Sequence, residues 1–166
     1  QLCLMTAQIA NGGYKIYPHI IAGDDKKNQP NDKFTPLYKN ARNIRIVQDA
    51  MFGSTNEVMG TSYRSRIDNP KYQFAGKTGT AQVKKITERD RELDLKTFQI
   101  PYEERDHAIY IAYSPYKDPR YATSILVEHG GNGSTTAAPM AKKLFKLIID
   151  RHTVREAIND KKYLEI

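Results

Sequence analysis

Two apolar runs, Ala-Ile-Tyr-Ile-Ala-Tyr at 108–113 and Tyr-Ala-Thr-Ser-Ile-Leu-Val-Glu at 121–128, flank a short polar segment from Ser114 to Arg120 that carries Pro115 and Asp118-Pro119. β-Branched and aromatic residues bracketed by turn formers are the pattern of an antiparallel hairpin. A lone hairpin is not stable in water, so another element has to cover it. Met140, Leu144, Leu147 and Ile148 recur at i, i+4, i+7 and i+8, an amphipathic helix able to lie across a sheet, and Pro139 suits its first turn. A further strand is expected at about 73–83. Together these predict an α+β (mixed) fold, an antiparallel sheet packed with helices, with the strand containing Lys77 at or near one exposed edge and the sheet backed by the 136–150 helix.

The remaining chain supplies helices and loops. Residues 1–10 read as an apolar helix without a visible N-cap, as a cut inside or just before a helix would leave, and Asn11-Gly12-Gly13 stops it. Tyr14 to Ile21 reads as a short strand interrupted by Pro18, and Gly23 to Asn40 as a surface loop. Ile44, Val47 and Met51 share one face of a helix expected from Ile44 to about Met59, with Asn43 as its cap and Gly60 as its end. Thirteen of the twenty-three residues 84–106 are charged, which marks a solvated excursion. Gly130-Gly131-Asn132-Gly133 breaks the chain before the last helix, and the tail from Arg151 reads as a weak further helix.

The chemistry concentrates in Phe74-Ala75-Gly76-Lys77-Thr78-Gly79-Thr80-Ala81-Gln82-Val83. Gly79 has no side chain to obstruct an approaching backbone, the Thr78 and Thr80 hydroxyls can hydrogen-bond a carboxylate, and Lys77 places a positive charge beside it. A bare Lys-Thr-Gly is common by chance; its flanks decide its meaning. Ala75, Gly76, Thr80, Ala81 and Gln82 resemble the segment of high-molecular-weight penicillin-binding proteins, the peptidoglycan D,D-transpeptidases. The stretch closing in Ala10-Asn11-Gly12-Gly13, the run His107 to Gly131 and Ala137-Ala138-Pro139 extend the resemblance over most of residues 1–150, and it is strongest to the elongation-type class, penicillin-binding protein 2.

The resemblance implies residues 1–150 as the C-terminal portion of a serine β-lactamase/D,D-transpeptidase-like domain, followed by a tail at 151–166. It implies a parent enzyme of the serine acyltransferase type that crosslinks cell-wall stem peptides ending in D-Ala-D-Ala through an acyl-enzyme and binds β-lactam antibiotics. Carried over residue by residue, Lys77 would hold a positive field and ease proton transfer, Thr78 and Thr80 with Gly79 between them would bind the terminal carboxylate, and the Thr80 backbone N–H would be one of two oxyanion donors. No cofactor or metal is implied. The family's localisation is a periplasmic catalytic domain on an inner-membrane anchor, neither anchor nor signal peptide being visible in this chain.

The family's nucleophile lies in a Ser-x-x-Lys and a second wall in a Ser-x-Asn, both upstream of Lys-Thr-Gly. Ser114-Pro115-Tyr116-Lys117 matches the first but follows Lys77 and falls in the hairpin turn; Ser54-Thr55-Asn56 matches the second but lies close to Lys77 at the end of a helix. Neither fits its role, so the chain reads as lacking the catalytic serine, inactive alone, with the missing N-terminal part of the domain as its structural partner.

Charge and composition narrow the alternatives. The net charge of +7 suits an anionic surface, but basic and acidic residues are interspersed and no nucleic-acid motif accompanies them. The tyrosines at 110, 113 and 121 suit strands rather than base-stacking platforms. The single Cys3 excludes an internal disulfide, and its neighbours Leu2, Leu4 and Met5 suggest a buried thiol. His19, His107, His129 and His152 lack metal-ligand spacing; His129, next to Gly130, reads first as a packing residue and second as a ligand neighbour. Two other function classes stay open: a serine β-lactamase or β-lactam sensor, separated from a transpeptidase by what deacylates the enzyme, and a non-enzymatic basic binding module, which a Lys77 strand buried on both faces would favour.

Overall fold

The computed structural model describes residues 1–21, 35–85, 88 and 95–164, with 156–164 described by backbone alone. Three helices and three strands carry it: α1 (Leu2–Ala10), α2 (Ala41–Asn56), β1 (Ala75–Ala81), β2 (His107–Ser114), β3 (Tyr121–Val127) and α3 (Ala137–Leu164). The strands form one antiparallel sheet in the order β1-β2-β3. Lys77 stands opposite Ile111 and Thr78 opposite Tyr110, while Tyr110 is in turn opposite Ile125. The hairpin therefore forms as its apolar runs predict, and β1 lies at the edge of the described sheet.

Alternation along the strands sends successive side chains to opposite faces. One face carries Phe74, Ala108, Tyr110 and Ala112 against Ala137, Ala138, Ala141, Phe145 and Ile149 of α3. The other carries Ala75 and Tyr113 with half-buried Ile111, closed by Ala10 of α1 and Met51 of α2. The sheet is thus the middle layer, with α3 on one side and α1 and α2 on the other.

Several expectations are corrected. The buried stripe of α3 is Ala137, Ala141, Phe145 and Ile149, whereas Met140 and Leu147 are exposed at 49% and 66%. Alanines win this face because their small side chains let the helix settle close to strands that present Ala108 and Ala112. The helix expected at 136–150 also continues without a break through the tail to Leu164. Tyr14–Ile21 makes no strand: only Tyr14 forms a β-bridge, to Pro36, in keeping with Pro18 as a breaker. Helix α2 starts three residues earlier than expected, because Asn40 rather than Asn43 is the cap, its side chain accepting from the Arg42 N–H at 2.9 Å. Cys3 is exposed, its thiol pointing at the Ala122 carbonyl oxygen 3.4 Å away; short α1 buries only Thr6 and Ala10, one turn apart, and leaves Cys3 at the rim. The Gly23–Asn40 loop lies for its larger part, and the 84–106 excursion for residues 86–87 and 89–94, outside the described residues.

Candidate functional site

The edge strand β1 is held from both sides. Asn56, in the last turn of α2, donates through Nδ2 to the Phe74 carbonyl at 2.9 Å. Next to it, Thr55 Oγ1 lies 3.4 Å from the Gly76 carbonyl oxygen and 2.9 Å from the Tyr110 hydroxyl, and Ser62 Oγ lies 3.0 Å from that same hydroxyl. Tyr110, Thr55 and Ser62 are buried, so this trio is a satisfied polar cluster inside the core. Tyr110 reaches it by crossing beneath β1 at Gly76: a Cβ there would fall 2.4 Å from its oxygen. Burial raises the Tyr110 phenol above its ordinary pKa, while hydrogen bonds from Ser62 and Thr55 act in the opposite sense.

On the far side, the 130–133 segment presses on the strand. A Cβ at Gly133 would sit 2.4 Å from the Ile109 carbonyl oxygen and 2.8 Å from that of Gly79. Residues 76–79 are therefore fixed by backbone contacts on one flank and by a buried hydroxyl cluster on the other, leaving their outer edge open.

On that edge Lys77 and Thr80 are exposed and Thr78 and Gly79 half-buried. The Lys77 ammonium donates to the Thr78 carbonyl oxygen at 3.0 Å and lies 3.4 Å from Thr78 Oγ1. Thr78 Oγ1 lies 3.3 Å from Thr61 Oγ1, which lies 3.1 Å from Ser54 Oγ. Lys77, Thr61 and Ser54 line a cavity of about 680 Å³, walled mainly by apolar side chains including Ile9, Ile46, Val47, Met59 and Ile111. An ammonium and a row of hydroxyls at the rim of an apolar groove can hold an anionic group whose attached body lies in the groove.

Thus Lys77, Thr78, Gly79 and Thr80 stand together on the edge strand, as their sequence order requires, but register divides them: Lys77 and Gly79 project to the α1/α2 face, Thr78 and Thr80 to the α3 face. The Ser114 hydroxyl is fully buried and 3.3 Å from the Gln73 carbonyl oxygen it donates to, so it faces no groove. Ser54-Thr55-Asn56 does close a helix, and each of its three side chains supports β1 or the row of hydroxyls beside it. The sequence reading has Tyr110 only as a strand residue of the hairpin and does not name Thr61 or Ser62; the alternation that buries Tyr110, opposite a glycine-containing strand, is the one signal that points to the cluster. His129 packs: its N–H donates to His107 Nδ1 at 2.9 Å and its ring lies 5.0 Å from that of Tyr102. No helix of the described residues is long and apolar enough to cross a membrane.

The family description matching the chain is the penicillin binding protein transpeptidase domain, over residues 1–146. Among curated proteins, the chain is 29% identical to the peptidoglycan D,D-transpeptidase MrdA of Salmonella typhimurium, across 90% of this chain and 24% of that protein. It is 31% identical to the MrdA of Acinetobacter baumannii, across 87% of this chain and 21% of that one. Among solved structures it resembles the penicillin-binding protein PBP2 of Helicobacter pylori in complex with MreC, at 31% identity and a TM-score of 0.60, covering 87% of this chain and 24% of that chain. It also resembles PBP2 of Pseudomonas aeruginosa in complex with WCK 5153, at 28% identity and a TM-score of 0.62, covering 86% and 28%. The chain spans about a quarter of the length of these relatives.

Proposed function

The chain belongs to the penicillin binding protein transpeptidase domain family, and on that premise we propose that its edge strand β1 forms one wall of the active site of a peptidoglycan D,D-transpeptidase. The wall binds the carboxylate of a D-Ala-D-Ala stem peptide or of a β-lactam. The observation that carries this reading is the open edge on which the Lys77 ammonium and the Thr78 hydroxyl lie 3.4 Å apart beside an apolar groove. Lys77 supplies the positive field and helps move the proton during acylation; Thr78 and Thr80 hold the carboxylate, with Gly79 leaving room for the ligand backbone; the Thr80 N–H donates to the developing oxyanion. The attacking serine is assigned to a part of the parent domain beyond these 166 residues, because Ser114, the one serine that opens a Ser-x-x-Lys here, is buried and donates to the Gln73 carbonyl. An exposed Lys77 on an edge strand argues against the basic binding module, which needs that strand buried on both faces.

The test is the second-order rate of acylation by benzylpenicillin in the full-length protein. Lys77→Ala should cripple it. Thr80→Val removes one hydrogen bond to a charged group, worth about 1.5–3 kcal/mol, and should slow acylation about ten- to a hundredfold while melting at the wild-type temperature, since its backbone N–H survives. Wild-type acylation by Lys77→Ala would remove β1 from the active site. Rapid turnover of the acyl-enzyme by water would move the protein to the β-lactamase class.

A further inference from the structure

Thr78 does not stand alone on the edge strand. Its hydroxyl oxygen lies between two neighbours, Lys77 Nζ at 3.4 Å and Thr61 Oγ1 at 3.3 Å, and Thr61 Oγ1 continues to Ser54 Oγ at 3.1 Å. The segment bearing Thr61 is folded tightly onto the last turn of α2. The Ser62 N–H and hydroxyl both reach the Ser54 carbonyl oxygen at 3.0 Å, and a Cβ at Gly60 would fall 2.4 Å from that same oxygen. Thr61 is therefore placed by backbone contacts, although its own side chain is exposed.

A threonine hydroxyl has one proton to give and two lone pairs to receive. The Lys77 ammonium can only donate. If Thr61 also donates to Thr78, both Thr78 lone pairs are engaged and its single O–H is left to point outward. Ser54 can fill the same role for Thr61; with the row running in that direction, Ser54 to Thr61 to Thr78, each donation would polarise the next hydroxyl. An outward O–H so prepared favours an acceptor carrying negative charge and gives nothing to a ligand group that itself must donate.

We propose that Thr61, seated by Ser54, is a positioning and specificity-determining residue: it orients the Thr78 hydroxyl to donate to the ligand's carboxylate. This rests on the placement of Thr78 in the carboxylate-binding wall given above. It predicts selectivity for a free carboxylate over a masked one, a property a merely structural threonine would not confer.

The experiment separates binding from acylation in the full-length protein, using benzylpenicillin and its methyl ester. Thr61→Val should weaken the binding step for the free acid about three- to tenfold, the range of one neutral hydrogen bond, with the acylation step within about twofold of wild type. Thr61→Ser should restore wild-type binding, Ser54→Ala should show a smaller loss in the same direction, and the ester should not distinguish any of these from wild type. In a Thr78→Val background, Thr61→Val should add nothing, as two residues acting through one hydroxyl require. If Thr78→Val weakens the free acid selectively and Thr61→Val does not, or if Thr61→Val weakens acid and ester equally, Thr61 has no positioning role. If Thr78→Val itself is indifferent to the carboxylate, the assignment of the wall fails as well, and the two failures are told apart by that variant.

Discussion

Tyr110 and Tyr113 lie on the same strand, both buried, yet their hydroxyls have opposite fates. That of Tyr110 meets Thr55 and Ser62; that of Tyr113 finds no hydrogen-bond partner among the described residues. Removing a satisfied buried hydroxyl strands its partners, whereas removing an unsatisfied one relieves a desolvation cost. Tyr110→Phe should therefore destabilise the fold by about 1–2 kcal/mol, held to that range because Thr55 and Ser62 keep the Met51 and Ser54 carbonyls as acceptors. Tyr113→Phe should be neutral or stabilising. Urea denaturation of both variants checks the contrast, and equal losses would refute it. The same burial raises both phenol pKa values, most strongly for Tyr113, where the neighbouring Tyr116 and Asp49 add to the effect. The folded state then keeps protons that the unfolded chain releases near pH 10, so this contribution to stability is intact below pH 10 and is lost as pH rises above it. Alkaline denaturation followed by circular dichroism should be shallower for Tyr113→Phe than for wild type.

At the scale of elements, the helix α3 shows what the sequence displayed and what it concealed. Its existence and its seat on the sheet followed from an apolar periodicity; its orientation did not, because a reading weighted toward large side chains placed Met140 and Leu147 inward. The structure turns Ala137, Ala141 and Phe145 to the strands instead, where Ala108 and Ala112 face them and small side chains on both surfaces allow close approach. Ala141→Leu should accordingly cost about 1–3 kcal/mol by overpacking, while Leu147→Gln, at an exposed position, should stay within about 0.5 kcal/mol; denaturation midpoints decide between these faces. The hairpin and the Lys-Thr-Gly strand were legible because period-two patterning and turn formers are local signals. The clamp of α2 on β1 was not, because it joins residues far apart in sequence, Asn56 with Phe74 and Thr55 with Tyr110, through contacts that only register reveals.

Across the whole molecule the three layers are unequal. The α3 face is a closed core, but the opposite face opens into the groove, with Ile46, Val47 and Met59 exposed at 55%, 41% and 94%. Contiguous apolar surface of this kind drives association, so the 166-residue chain alone should self-associate with rising concentration in light scattering. Incubated with benzylpenicillin, the same chain should show no adduct by intact mass, because its one Ser-x-x-Lys serine is buried against Gln73. A monodisperse monomer would mean the groove is satisfied within the chain, and an adduct at Ser114 would mean that the hairpin turn opens.

The sheet order β1-β2-β3 follows the chain, but its two connections differ: residues 82–106 join β1 to β2, while residues 115–120 join β2 to β3. The first is about four times longer, and closing it costs about 1.2 kcal/mol more in chain entropy. In time, then, the hairpin has the advantage: β2 and β3 can zip locally and offer α3 a surface, while β1 must be recruited across the longer gap. The strand bearing Lys77 and Thr78 would be the last of the three to arrive and, by the same reckoning, the first to leave. On that reckoning the hydroxyl and amide contacts from α2 to the Gly76 and Phe74 carbonyls act as a latch for the strand recruited across the longer gap.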